Sequence, residues 1–281
     1  MKRPFFAAAV VLVAACTSKT DDPPPNPDRR VELVEASEPL PTVGRSVALV
    51  VQVSRLGAAQ SGRQSLDTKP LKERLALCDG ERYADQPSSV AGFATAFLVA
   101  PDVVATAAHV LDPVSITDIA FAFGYALDSA GGAEPTSVAA DDVVKAKSAK
   151  RAPDNADWAL VTLEHAVSGR APLALRKSSD VPVGTKIAVV GHPLTLPMKV
   201  APGEVRVLQD GFVFVDTDTF EGNSGSPMVD AATGEVQGLF IGGGEDFTTT
   251  AEGCMTAIHR APNDLTERAI PAPVIAAAVG P

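Results

Sequence analysis

Apolar residues in this chain fall in short runs that recur at close spacing, with turn-forming residues between them. Runs of this length, bounded by Gly, Pro and Asp, predict β-strands. The predicted strands cover 46–53, 93–99, 103–107, 157–163, 187–190, 203–208, 212–216 and 235–241. No long alternation of strands with helices is visible, so the pattern favours an all-β chain of two β-barrels over a layered α/β fold.

Helical spacing is limited to two places. In 65–78, Leu71, Leu75 and Cys78 would share one face, which predicts a helix. A second short helix is predicted to begin at Asn263. A length of 281 residues suits two domains, and two barrels account for it.

The N-terminus has the pattern of an export signal. A positive start is followed by an apolar run, 5–15, that is too short to span a bilayer. The run ends in Leu12-Val13-Ala14-Ala15-Cys16, which resembles a bacterial lipobox. We therefore predict a signal peptide over 1–15 and a lipid anchor on Cys16. The alternative is an ordinary secretory signal cut after Ala15, in which Cys16 is incidental.

The segment after Cys16 is polar and rich in proline. Such a composition cannot bury a core and predicts an extended tether, so 16–40 is assigned to the anchor and the tether. Thr17 rather than an acid follows the cysteine, which favours the outer membrane of a Gram-negative cell. A periplasmic or secreted protein is the alternative location.

Composition removes several functions from consideration. The formal net charge is −10, without a Lys/Arg cluster, so nucleic acid is not an expected partner. The sequence has no metal-ligand cluster and no phosphate-binding glycine loop, so we expect no metal and no cofactor. We expect a monomer.

If Cys16 carries lipid, Cys78 and Cys254 remain as an even pair that can form one disulfide, and their proximity is left open.

The segment 222–227, Gly-Asn-Ser-Gly-Ser-Pro, is the main candidate for chemistry. Glycines on both sides of Ser224 open unusual backbone conformations and leave room for a substrate carbonyl. The N–H groups of Gly222 and Ser224 could then stabilise an oxyanion. A bland tight turn is the alternative until a base and an acid are found.

Two upstream residues are candidates for that base and acid. His109 follows small residues near the end of the mostly apolar run 103–110, and Asp157 leads directly into an apolar strand. Taken singly, a histidine is more often structural, and an aspartate before a strand usually caps a turn. A serine nucleophile needs both a base and an orienting acid.

Together, Thr106-Ala107-Ala108-His109, 157–161 and 222–227 resemble the three catalytic blocks of the chymotrypsin-like (trypsin-fold) serine peptidases, in the same His, Asp, Ser order. The resemblance implies two six-stranded antiparallel barrels with the active site in the cleft between them. The first barrel would lie in 41–168, and the second in 169–281 with the C-terminal segment. An esterase of the α/β-hydrolase fold is disfavoured, because that fold has the reverse order and Ser226 replaces its second glycine.

The resemblance also implies roles. Ser224 would attack the scissile carbonyl, His109 would accept and return the proton, and Asp157 would hold the imidazole. The chain is thus predicted to be an exported serine endopeptidase that hydrolyses polypeptides through an acyl-enzyme. The alternative is an inactive trypsin-fold module used for binding or adhesion, although all three matched residues are present.

The nucleophile block looks like that of the bacterial glutamyl-endopeptidase-like branch. In trypsin an aspartate precedes the serine and pairs with a new N-terminal ammonium; neutral Asn223 cannot do this, so no such activation switch is expected. His192, in Gly-His-Pro, is interpreted as part of a structural loop.

The same resemblance implies a pocket for the substrate side chain. Its residues would be Asp218, Thr219, Phe240, Ile241, Gly242 and Gly243. Asp218 on the pocket floor favours a basic side chain, although Asp-Thr at this place is also common in the bacterial branch as a strand cap. Phe240 stands where glutamate-specific enzymes have a histidine, which disfavours glutamate.

Overall fold

The computed structural model describes residues 28–112, 114–153, 156–177, 181–260 and 264–280. The predicted signal peptide, Cys16, the tether up to residue 27 and Asn263 lie outside these ranges. Three short α-helices are present in the described part: α1 (Leu40–Gly44), α2 (Leu71–Leu75) and α3 (Ala272–Val279). No helix there has the length and apolar character needed to cross a membrane.

Most of the chain forms short strands. They are β1 (Val31–Glu32), β2 (Val47–Gln52), β3 (Ala59–Gln60), β4 (Arg63–Ser65), β5 (Thr68–Pro70), β6 (Pro87–Ser89), β7 (Gly92–Ala100), β8 (Val103–Thr106), β9 (Ile119–Phe123), β10 (Ser137–Ala139), β11 (Val143–Arg151), β12 (Ala159–Leu163), β13 (Lys186–Gly191), β14 (Lys199–Gln209), β15 (Phe212–Val215), β16 (Pro227–Asp230), β17 (Val236–Gly242), β18 (Phe247–Thr249), β19 (Met255–Ala257) and β20 (Glu267–Pro271).

Six strands form a closed first barrel in the order β11-β12-β8-β7-β2-β9, with β11 and β9 completing the ring. All of its pairings are antiparallel. Val47, Phe97, Phe121 and Val161 are fully buried in its core. These strands are rich in β-branched and aromatic residues, which pack well on a pleated surface, and β2 and β9 are buried on both faces.

The second barrel has the order β14-β13-β16-β17-β20-β15 and is closed by pairing of β14 with β15. Its core contains Val189, Val205, Val213, Met228 and Phe240. The prediction of an all-β protein with two six-stranded antiparallel barrels is therefore confirmed. Closure leaves each barrel without a free edge.

Residues 28–40 are folded, although the tether was predicted to reach residue 40. β1 pairs with β14 on the outside of the second barrel. The Nζ atom of Lys199 lies 2.9 Å from an Oε2 of Glu32, and both side chains are buried. An ion pair and a strand ladder thus attach this segment to the barrel.

The predicted helix over 65–78 is wrong for most of its length. Its first part belongs to β4 and β5, and only α2 is helical. Pro70 starts the helix and has no N–H to continue a helix from upstream, while Ala76 ends it in the left-handed conformation (φ 52°). After Asn263, the chain forms β20 first and becomes helical only at α3.

Candidate active site

The turn that carries Ser224 is bonded to both barrels. The Thr95 N–H of β7 donates to the Ser224 carbonyl (3.0 Å), and its Oγ1 donates to the Gly222 carbonyl (2.7 Å). The Gly225 N–H donates to the Phe240 carbonyl of β17 (2.7 Å). Ser224 therefore lies where the two barrels meet.

Gly225 is what permits this close approach. Its φ is +89°, and a Cβ at this position would lie 2.1 Å from the Thr95 carbonyl oxygen and 2.3 Å from the Thr106 Oγ1. Thr106 ends β8 and lies just before His109 in the chain. The glycine thus brings the serine turn against the segment that carries the histidine.

We expect Gly225→Ala to lower the free energy of unfolding by about 3 kcal/mol, since it adds both backbone strain and steric overlap. Gly211→Ala is the matched control, because Gly211 has a φ of +81° with nothing within 4 Å. That control should cost only about 1 kcal/mol. Urea unfolding measures both changes, and equal losses would contradict the packing argument.

His109 and Asp157 are brought together by strand pairing. β12 runs antiparallel to β8, with Ala159 opposite Thr106, so the start of one strand lies beside the end of the other. His109 follows β8 in a short 3-10 turn. The Asp157 carboxylate accepts from the His109 backbone N–H (2.9 Å) and lies 2.8 Å from the ring Nδ1.

These contacts set the charge behaviour of the pair. The hydrogen bond with Asp157 raises the pKa of His109, and the negative charges of Asp157 and Asp112 add to the effect against partial burial. Burial alone would raise the pKa of Asp157, but the hydrogen bonds from His109 outweigh it and lower that pKa. The carboxylate therefore stays ionised and holds the imidazole with its Nε2 free of this contact.

The backbone around Gly222 is arranged to leave N–H groups free. The Glu221 carbonyl accepts from the Leu194 N–H, and in a planar trans peptide the Gly222 N–H points the opposite way. Gly222 has a φ of +92°, and a Cβ there would lie 2.5 Å from the His192 carbonyl oxygen. In the described part of the chain, the N–H groups of Gly222 and Ser224 have no acceptor, so both can serve an oxyanion.

A cavity of about 180 Å³ opens beside Ser224. Thr219, Phe240, Gly242 and Gly243, all predicted for the pocket, line it together with Asp246 and Glu267. Ile241 contributes its carbonyl oxygen, which accepts from the Ser224 hydroxyl at 3.5 Å. Ser224 thus lies at the mouth of a cavity large enough for a side chain, while the contacts of the His109 side chain are with Asp157.

A family model described as the trypsin-like peptidase domain matches residues 94–239, which is just over half of the chain and includes His109, Asp157 and Ser224. The chain belongs to the trypsin-like peptidase domain family. The match is to the family as a whole, so the glutamyl-endopeptidase-like branch stays a prediction.

Among solved structures, this trypsin-like peptidase is similar to the active form of the Rv3671c protease from M. tuberculosis, at 18% identity and a TM-score of 0.49, covering 99% of this chain and 92% of that chain. It is also similar to an inactive serine-to-alanine mutant of Rv3671c from M. tuberculosis H37Rv, at 15% identity and a TM-score of 0.48, covering 89% and 95% of the two chains. No curated protein sequence matches the chain.

Asp218, expected on the pocket floor, does not line the cavity beside Ser224 itself; it lines an adjoining cavity together with Asp246 and Glu267. Its carboxylate accepts from both the backbone N–H and the Nε of Arg29, each at 3.0 Å. The Asp218 carboxylate is therefore paired with the Arg29 guanidinium, which ties the N-terminal segment to the loop before Ser224. Asp216, the second acid nearby, is paired with Arg206 across the barrel strands.

Glu267 and Asp246 are the pocket acids that the sequence analysis missed. Glu267 begins β20 and is only 6% exposed, and Asp246 lies in the loop after β17. Each enters the pocket through long-range contacts, namely the β17–β20 pairing and a bond from the Glu221 N–H to Asp246. No local sequence signal distinguishes them from surface acids.

The remaining residues singled out in the sequence, Cys78, Cys254 and His192, make structural contacts. Cys78 and Cys254 form a disulfide, with Cα atoms 5.0 Å apart, which joins the segment after α2 to the β18–β19 hairpin. His192 is fully buried, and its Nδ1 lies 3.0 Å from the Leu196 carbonyl oxygen. Burial lowers the pKa of His192 to about 3, so it is neutral and held in a loop.

Proposed function

We propose that this protein is an exported serine endopeptidase in which Ser224 is the nucleophile, His109 the general base and Asp157 its orienting acid. The observation that carries the proposal is the His109–Asp157 hydrogen bond at 2.8 Å beside a serine turn that is bonded to the same barrel. A bacterial branch near the glutamyl endopeptidases is part of the proposal, on the strength of the Gly-Asn-Ser-Gly-Ser-Pro block.

In this mechanism the Ser224 Oγ attacks the scissile carbonyl while its proton passes to the Nε2 of His109. The oxyanion is stabilised by the N–H groups of Gly222 and Ser224, usually the largest single catalytic contribution. The C–N bond then breaks, and His109 gives its proton to the leaving amine. Water attacks the acyl-enzyme by the same route and releases the acid and Ser224.

The experiment is labelling of the folded protein with a fluorophosphonate probe, which phosphonylates an activated serine. Wild type is expected to be labelled and Ser224→Ala is not. A wild-type protein that stays unlabelled while circular dichroism shows it folded would favour the inactive binding module instead.

We also propose that the chain is anchored by lipid at Cys16 and is active without cleavage near residue 40. Asn223 is buried and uncharged, and its Oδ1 accepts from the Ser226 hydroxyl (3.4 Å), so it cannot form the ion pair on which a trypsin-style activation switch depends. The Cys78–Cys254 disulfide suits an oxidising compartment.

The N-terminal proposal is tested on protein extracted from membranes. Intact mass should show a chain that begins at lipidated Cys16, and this chain should hydrolyse peptides as it is. An unlipidated chain would contradict the anchor, whereas activity that appears only after a cut near residue 40 would contradict the absence of an activation switch.

A further inference from the structure

Among the described residues that line the cavity beside Ser224, Glu221, Asp246 and Glu267 are acidic and none is basic. The Glu267 carboxylate accepts from the hydroxyls of Thr219 and Thr266 and packs directly against Gly243. Asp246 accepts the Glu221 N–H at 2.6 Å. Neutral donors orient both carboxylates without cancelling their charge.

The cations nearest to this cavity are already paired. The Arg30 guanidinium is bonded to Asp28 at 2.7 Å and lies 3.9 Å over the Phe220 ring. Arg260 is bonded to Asp264 at 3.1 Å and to the Glu245 carbonyl oxygen at 2.7 Å. In the described ranges, neither arginine forms an ion pair with Asp246 or Glu267.

We propose that this cavity binds the side chain on the acyl side of the cut bond, and that Glu267, assisted by Asp246, selects lysine or arginine there. The proposal rests on the proposed function. Ser224 lines the same cavity, so a side chain bound there is that of the substrate residue whose carbonyl Ser224 attacks. Phe240 and Gly243 form walls for the methylene groups, and the carboxylates meet the charge.

The preference should depend on pH in a defined direction. Burial raises the pKa of Asp246 to about 6; the hydrogen bond from the Glu221 N–H opposes this, the charge of Glu221 adds to it, and the charges of Arg30 and Arg260 oppose it. Burial also raises the pKa of Glu267, and the negative charge of Asp246 raises it further. Because only the ionised acids attract a cation, the preference for a basic side chain should rise as the pH increases through about 6.

The experiment compares peptides that differ only in arginine against citrulline, its neutral isostere, or in lysine against norleucine. Wild type is expected to favour arginine over citrulline by about 100-fold in kcat/KM, the size expected for a charged hydrogen bond in a pocket. Glu267→Gln should reduce this ratio to below about 10-fold, and Asp246→Asn should reduce it in part. Asp218→Asn is the matched control and should keep the full ratio.

A second readout does not depend on catalysis. Benzamidine, a cationic probe, should bind Ser224→Ala at least about 10-fold more tightly than benzamide, with the difference growing between pH 5 and 7. Equal binding of the two probes, an unchanged ratio in Glu267→Gln, or a ratio lost in Asp218→Asn would overturn the proposal. Failure of the proposed function is distinct: it shows as absent fluorophosphonate labelling, whatever the two probes do.

Discussion

Ser224→Ala is expected to lower kcat/KM for peptide hydrolysis by about 10⁶-fold, the largest effect of any single substitution in this chain. The substitution removes the atom that would form the acyl-enzyme, while His109 and Asp157 remain bonded to each other. The remaining rate would come from the N–H groups of Gly222 and Ser224 and from substrate binding. Initial rates on a chromogenic peptide measure it, with urea unfolding to show that the fold is kept.

Ser226→Ala is the matched control for this substitution. Ser226 lies in the same turn and is buried, and its hydroxyl donates only a long hydrogen bond to the Asn223 Oδ1, at 3.4 Å. Its loss should leave kcat/KM within about 10-fold of wild type. Retention of more than about one hundredth of the activity in Ser224→Ala would exclude Ser224 as the nucleophile.

Asp157→Asn is expected to lower kcat by about 10⁴-fold while leaving the fold intact. An asparagine can keep the size of the side chain, but its amide no longer stabilises the imidazolium or enforces the tautomer with a free Nε2. The pH profile should move as well. Asp157 raises the pKa of His109 above its ordinary 6.5. Because protonated His109 cannot act as a base, wild-type activity should fall as the pH drops through this raised pKa.

In Asp157→Asn this acid limb should shift to lower pH, because the hydrogen bond and the charge that favour the imidazolium are gone. The measurement is log kcat/KM against pH for both proteins. Asp112→Asn is the control, since Asp112 raises the pKa of His109 only through its charge and is bonded to Arg151 at 2.7 Å. It should shift the limb slightly and leave kcat near wild type. An unshifted limb in Asp157→Asn would contradict the role assigned to the carboxylate.

Much of the fold could be predicted because barrel strands carry their own signal. The runs that became β2, β7, β8 and β12 are apolar and β-branched, and they were predicted within a few residues of their observed bounds. β11 was missed because its second half, 147–151, is exposed and mostly polar, so it lacks the apolar alternation of a strand with one buried face. β20 was missed for a related reason, since it begins with two charged residues, Glu267 and Arg268.

The sequence by itself determined which residues are candidates for catalysis and in what order they occur. The His109, Asp157 and Ser224 blocks are short, each is recognisable locally, and β8 and β12 place two of them side by side as soon as they pair. The glycines beside Ser224 likewise show in the sequence that the backbone turns sharply there.

Only the tertiary structure decided which acids face the cavity beside Ser224. Asp218 is the acid expected from its distance along the chain to Ser224, but Arg29, which is 189 positions away, takes its carboxylate. Glu267 and Asp246 enter the pocket through the β17–β20 pairing and the loop after β17. The direction of a carboxylate depends on the nearest donors and cations after packing, and those partners come from distant parts of the chain.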